Sequence, residues 1–192
     1  MGGKSTLLRQ VCLAVILAQI GCPVPAESFV LTPVDKIFTR LGAEDHILQG
    51  KSTFWVEMEE TKAILDGATS KSLVIIDELG RGTSTFDGQA IAESVFDYLV
   101  NKIKCRTLFS THYHALQNKY AGKNWRRKVR VARMDYKLDT ERNRLIYLYK
   151  LRFEACPSSF GLNIAQIAGL PDEVLEIASV KCEEFKKRFS HL

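Results

Sequence analysis

The sequence predicts an α/β fold, a mostly parallel sheet with flanking helices, and three observations carry that prediction. A glycine-lysine-serine step at residues 3–5 opens a long apolar helix. The run Ser72-Leu73-Val74-Ile75-Ile76 is apolar after its first residue and ends in two adjacent acids, Asp77 and Glu78. A helical period and a second short apolar run, Thr107-Leu108-Phe109, follow it, which gives strand, helix, strand with ligands expected beyond the strand ends.

Taken in order, the first element is a nearly all-round apolar helix from Lys4 to Ile20, stopped by Gly21 with Pro23 and Pro25 close behind. Ser52 stands at a plausible N-cap of a helix running to about Leu65. The β-branched run at 72–76 suits a parallel strand buried on both faces. From about Phe86 to Ile103, Ile91, Ala92, Val95, Phe96, Leu99, Val100 and Ile103 form one broad stripe, which predicts a helix against the sheet. Thr107-Leu108-Phe109 is the next strand and delivers Ser110-Thr111-His112 to the same edge. Alternation at Ala132, Met134, Tyr136 and Leu138, and again at Leu145, Tyr147, Tyr149 and Leu151, predicts a β-hairpin around 139–143. Ser158 or Ser159 can cap a helix to about Ala168, Gly169 stops it, and Pro171 opens a longer one, so the tail reads as helix-turn-helix.

Composition bounds the chain further. At 192 residues with 46% apolar and 26% charged content, it fits a globular domain with a substantial core. The apolar stretch ending at Ile20, broken by Arg9, Gln10 and Gln19, is too short for a bilayer-spanning helix, so no membrane partner is expected. A secretory signal would also explain residues 1–26, but five cysteines are an odd number without framework spacing, which argues for an intracellular protein. Net charge is +5, with Lys119, Lys123, Arg126, Arg127, Lys128, Arg130 and Arg133 clustered around Trp125. That cluster would suit nucleic-acid phosphates, but a charge run between elements is more often a solvated loop.

Residues 1–6, Met1-Gly2-Gly3-Lys4-Ser5-Thr6, form the back half of a phosphate-binding loop, G-x-x-x-x-G-K-[ST]. Backbone amides close around phosphate oxygens, Lys4 reaches the outer phosphates, and the Ser5 hydroxyl holds Mg2+. This predicts a P-loop NTPase binding a nucleoside triphosphate with Mg2+. The second motif fits: Asp77 can hold the metal shell, while Glu78 can orient the attacking water. His112, beyond the next strand, is placed to sense the γ-phosphate, and His114 reads as a second-layer or surface residue. On spacing alone Ser52 is an ordinary N-cap.

The strings Gly2-Gly3-Lys4-Ser5-Thr6-Leu7-Leu8-Arg9-Gln10, Lys51-Ser52-Thr53-Phe54, Asp77-Glu78-Leu79-Gly80-Arg81-Gly82-Thr83-Ser84-Thr85-Phe86-Asp87-Gly88 and Ser110-Thr111-His112-Tyr113-His114 closely resemble the ATPase domain of MutS mismatch-repair proteins, in family order. The resemblance covers essentially the whole chain. Residues 104–114 and 155–157 look most like the family's eukaryotic mismatch-sensing subunit, which implies a nuclear protein. It implies an ABC-type ATPase head, core 1–152, with a helix-turn-helix dimerisation element at 153–192. Such heads close on ATP in pairs, each donating a signature serine in trans, and Ser52 matches that serine. Lys4 and Ser5 match the loop pair, Asp77 and Glu78 the metal and water-orienting acids, and His112 the switch histidine.

The implied partners are a second MutS-homologue subunit, mismatched duplex DNA bound through domains absent here, and MutL-type proteins. The family's Gly-Pro-Asn ahead of Met1 is missing, with the strand before it, so the chain is expected to be a fragment. Two other functions remain open: a catalytically defective dimerisation module, and the ATPase head of a transporter or SMC-like protein. The second fits less well, because a Gly-rich signature is replaced by Leu48-Gln49-Gly50-Lys51-Ser52.

Overall fold

The computed structural model describes residues 2–42, 52–139, 144–156 and 161–189. By contact the chain divides into two compact units, Gly3–Arg130 and Val131 onward, with Gly2 grouped with the second. The hairpin therefore groups with the terminal helices, whereas the partition at 152/153 is one of expected roles.

In the first unit, helix α1 (Lys4–Gln19) leads to strand β1 (Ile37–Arg40), helix α2 (Thr53–Gly67), strand β2 (Leu73–Asp77), helix α3 (Thr85–Tyr98), strand β3 (Arg106–Ser110) and helix α4 (His114–Tyr120). The sheet is parallel with β2 in the centre, order β1-β2-β3. Residues Leu73 to Ile76 are all buried, as a strand covered on both faces requires. Leu73 and Ile75 pack with Leu8 and Val15 of α1 and with Val34. Each such burial contributes roughly 1.5–3 kcal/mol before chain entropy is set against it.

Three findings depart from expectation. The helix expected to be buried all round covers the sheet with one face only: Leu13, Ile16 and Ile20 of that segment are exposed. The helix predicted to run to Ile103 changes at Leu99 into a π turn, Leu99–Ile103, closed by Lys104 in the left-handed region with its N–H on the Leu99 carbonyl at 2.7 Å. Strand β1 and helix α4 were not anticipated at all. The basic segment carries a short 3-10 turn, Lys123–Trp125, whose indole packs edge-on against Tyr120 at 4.8 Å. Tyr120 in turn meets Phe96 of α3 at 4.6 Å. Trp125 thus serves packing.

The second unit holds the predicted hairpin, β4 (Arg133–Asp139) antiparallel to β5 (Arg144–Arg152), with a register shift between Met134 and Tyr136. Residues 140–143 of its expected turn lie outside the described residues. Two helices follow, α5 (Gly161–Ile167) and α6 (Asp172–Phe189), separated by a turn in which Gly169 has φ +83. The expected caps Ser158 and Ser159 lie outside the described residues. Among the described residues no helix is long and apolar enough to cross a membrane.

Candidate functional site

The site gathers where parallel strands end. Gly3 caps α1 in the left-handed conformation, φ 85, and its carbonyl accepts the Leu7 N–H at 2.9 Å. A side chain disfavours that backbone, so glycine is the natural residue there. The amides of Lys4, Ser5 and Thr6 lie in the first turn, where helix N–H groups have no intrahelical acceptor and favour an anion. Gly2 precedes this turn in non-helical backbone.

Parallel register sets Asp77 beside Ser110. The two carboxylate oxygens of Asp77 accept from two hydroxyls, Ser5 on one and Ser110 on the other. Lys4 Nζ donates to Glu78 Oε1 at 2.9 Å, and Arg81 pairs with Oε2 at 2.9 Å. The strands therefore bring Lys4, Ser5, Asp77 and Glu78 together. Ser110 and Arg81 were missed as participants. Strand register would have found Ser110, but Arg81 gives no periodic signal.

Glu78 lies in the left-handed region at φ 57, unusual for a non-glycine residue and costing about 1–2 kcal/mol. Its N–H donates to the Ser110 carbonyl at 3.1 Å, which ties the strained turn to β3. Burial pushes the Glu78 carboxyl up, but the Lys4 hydrogen bond and the charges of Lys4 and Arg81 outweigh it and hold it below the usual carboxylate range. His112 is exposed just beyond β3, its ring 4.2 Å from that of Tyr113. Desolvation chiefly pushes its imidazole below the ordinary value, helped by Arg81, Lys4 and His114 and opposed by Glu78. The neutral ring is therefore favoured over the cation.

A hard divalent cation fits this donor set. Serine hydroxyl and carboxylate oxygens suit Mg2+, which normally keeps waters and phosphate oxygens in its shell and needs only one or two protein ligands. Among the described residues no group of three or more His, Cys, Asp or Glu side chains is arranged to hold a metal ion.

Ser52 caps α2, its Oγ accepting the Trp55 N–H at 3.2 Å. The next residue but one, Phe54, lies so close to Gly82 that a Cβ there would come within 2.9 Å of the Phe54 Cβ. Residues 43–51, including Gly50 and Lys51 of the signature segment, lie outside the described residues.

Comparison with known proteins adds the family. The model for MutS domain V matches residues 1–186. DNA mismatch repair protein MSH6 of Arabidopsis thaliana is 54% identical over 189 residues, 97% of this chain and 14% of that protein. Msh6 of Homo sapiens is 51% identical over 192 residues, again 14% of its length, and MutS of Caldanaerobacter subterraneus is 47% identical over 188 residues, 21% of its length. The chain thus spans a small part of the relatives it matches.

Proposed function

Because this chain belongs to the MutS family, in a region that matches MSH6 proteins closely, we propose that it binds and hydrolyses ATP and couples nucleotide state to mismatch recognition and clamp movement on DNA. One observation carries the reading: the loop pair and the strand-end acids meet in couples, Ser5 on Asp77 and Lys4 on Glu78, at the N-terminus of α1. Mg2+ bound with ATP would supply charge neutralisation on the phosphates. Ser5 and Asp77 would hold it. The amides of Lys4, Ser5 and Thr6, with Gly2 and Gly3 allowing close backbone approach, would take phosphate oxygens. Lys4 would leave Glu78 for the outer phosphates, which frees the carboxylate to orient water. His112 would hydrogen-bond the terminal phosphate.

Ser52, at a second helix N-terminus, would act on the nucleotide of a neighbouring head. The partner is a second MutS-homologue subunit, and the α5–α6 pair, exposing Leu162, Ile167, Val174, Ile177 and Val180, supports a dimer surface there. Mismatched DNA, MutL-type partners and nuclear location belong to the same reading. Titrating the full chain plus a partner head with a fluorescent ATP analogue tests it. Binding and Mg2+-dependent hydrolysis should both be lost in Lys4→Ala, and hydrolysis indifferent to that substitution would refute the reading.

A further inference from the structure

Two buried side chains converge on the backbone of one residue, Gly80. Gly80, two residues after Glu78, donates its N–H to Glu57 Oε1 at 2.9 Å, and its carbonyl accepts from the Tyr113 hydroxyl at 2.9 Å. Glu57 lies on α2, the helix Ser52 caps, while Tyr113 follows His112 directly. Gly80 has φ +91, and a Cβ on it would come within 2.5 Å of the Gly88 carbonyl. A Cβ on Gly88 would fall 2.2 Å from the Gly80 oxygen and 2.4 Å from the Tyr113 hydroxyl. Gly80 is thus clamped on its N–H, on its C=O and on its open side. Glu57 is itself fixed by Arg40, which lies 3.5 Å from it and 3.0 Å from Glu60.

We propose that the Gly80 backbone is the junction through which engagement of the α2 N-terminus reaches Glu78 and His112, with Glu57 and Tyr113 as positioning residues. A rigid helix carries any displacement of Ser52 to Glu57, and a single hydrogen bond carries it on to the turn holding Glu78 in its left-handed conformation. The same residue, through the Tyr113 hydroxyl on its carbonyl, sets the backbone of the neighbouring His112. The chemistry then depends on whether a second head has docked, without any contact between Ser52 and its own site. This rests on the ATPase reading above.

The test uses the complex of the full chain with a partner head. Tyr113→Phe removes only the hydroxyl, Glu57→Gln keeps an acceptor oxygen for the Gly80 N–H, and Glu57→Leu keeps neither acceptor nor charge. Single-turnover hydrolysis should fall on the order of tenfold in Tyr113→Phe and Glu57→Leu. Glu57→Gln should recover most of that loss, and ATP-analogue affinity should stay within about twofold in all three. Hydrogen exchange across residues 78–82 should quicken in the two impaired variants, with melting midpoints recorded to confirm folding. Lys4-dependent turnover unchanged in Tyr113→Phe and Glu57→Leu, or a loss confined to ATP affinity, overturns the junction alone. Absence of Lys4-dependent turnover in the unsubstituted complex overturns the ATPase reading and the junction with it.

Discussion

Replacing Glu78 by glutamine should separate nucleotide binding from hydrolysis, and the separation can be sized from the site. Without nucleotide, Lys4 is committed to Glu78 Oε1 at 2.9 Å, so an incoming phosphate must draw it away. The side chains are 44% and 21% exposed, which puts the pair among partly solvated ion pairs contributing about 0.2–1 kcal/mol. Glutamine removes the charge and releases Lys4, so ATP affinity should rise by about 1.4- to 5-fold. The same change removes the group that orients water, and a general base typically contributes about 10²- to 10⁴-fold. Fluorescent-analogue titration gives the affinity, and rapid-quench single turnover with excess enzyme gives the chemical step. A variant that hydrolyses within threefold of the parent, or binds ATP tenfold more weakly, would refute the assignment of Glu78 and the competition for Lys4.

Further tests address the trans serine, the glycine contact and the histidine. Mixing a Ser52→Ala head with a Lys4→Ala head should leave at most one working composite site, and full activity in an isolated Ser52→Ala monomer would refute action in trans. Gly88→Ala drives a Cβ into the Gly80 carbonyl and should cost about 1–3 kcal/mol by urea denaturation, whereas Gly122→Ala, whose nearest neighbour would lie 3.6 Å away, should be near neutral. Equal midpoints would disprove the tight contact. Because the folded His112 pKa is depressed, the unfolded chain binds more protons, so its contribution is full above about pH 6.5 and lost as pH falls toward the folded value. His112→Gln should therefore flatten the acid side of a melting-temperature profile between pH 7.5 and 5.5, and an unchanged slope would show that the ring titrates normally.

The pairing of α1 with β2 was legible because both elements follow local patterns. A buried parallel strand must be continuously apolar, so Leu73 to Ile76 announced themselves, and a phosphate loop needs glycine and lysine in fixed order at a helix start. Strand β1 was missed because Ile37-Phe38-Thr39-Arg40 is short, with a cation in its last position, and a buried arginine is readable only once Glu57 and Glu60 are seen beside it. Helix α4 was obscured by the polar run around Gln117 and Asn118, although Leu116 and Tyr120 are spaced to bury one face. The π turn at Leu99–Ile103 ends without glycine, so the periodicity ran through it unbroken. Glu57 and Tyr113 bond the backbone of a residue far away in sequence, Gly80, and no local pattern records such a bond.

The energetics of the Arg40–Glu57 pair bear on why that bond exists. Arg40 is 6% and Glu57 3% exposed, and a buried ion pair is weak evidence for stability, since apolar residues of equal volume often do as well or better. Substitution by an apolar residue is obstructed here on other grounds. Glu57 is the acceptor for a buried backbone N–H, and removing it would orphan the Gly80 donor at about 1–3 kcal/mol. The cost would fall within two residues of Glu78, whose left-handed backbone is already unfavourable by about 1–2 kcal/mol. A turn under that strain keeps its geometry only while its neighbours over-determine it. Arg40 therefore acts by holding Glu57 aimed at Gly80, and its substitution by methionine should lower turnover through Glu78 more than it lowers the melting midpoint. Stopped-flow hydrolysis beside thermal melts separates the two, and a midpoint drop with turnover preserved would return the pair to a purely structural role.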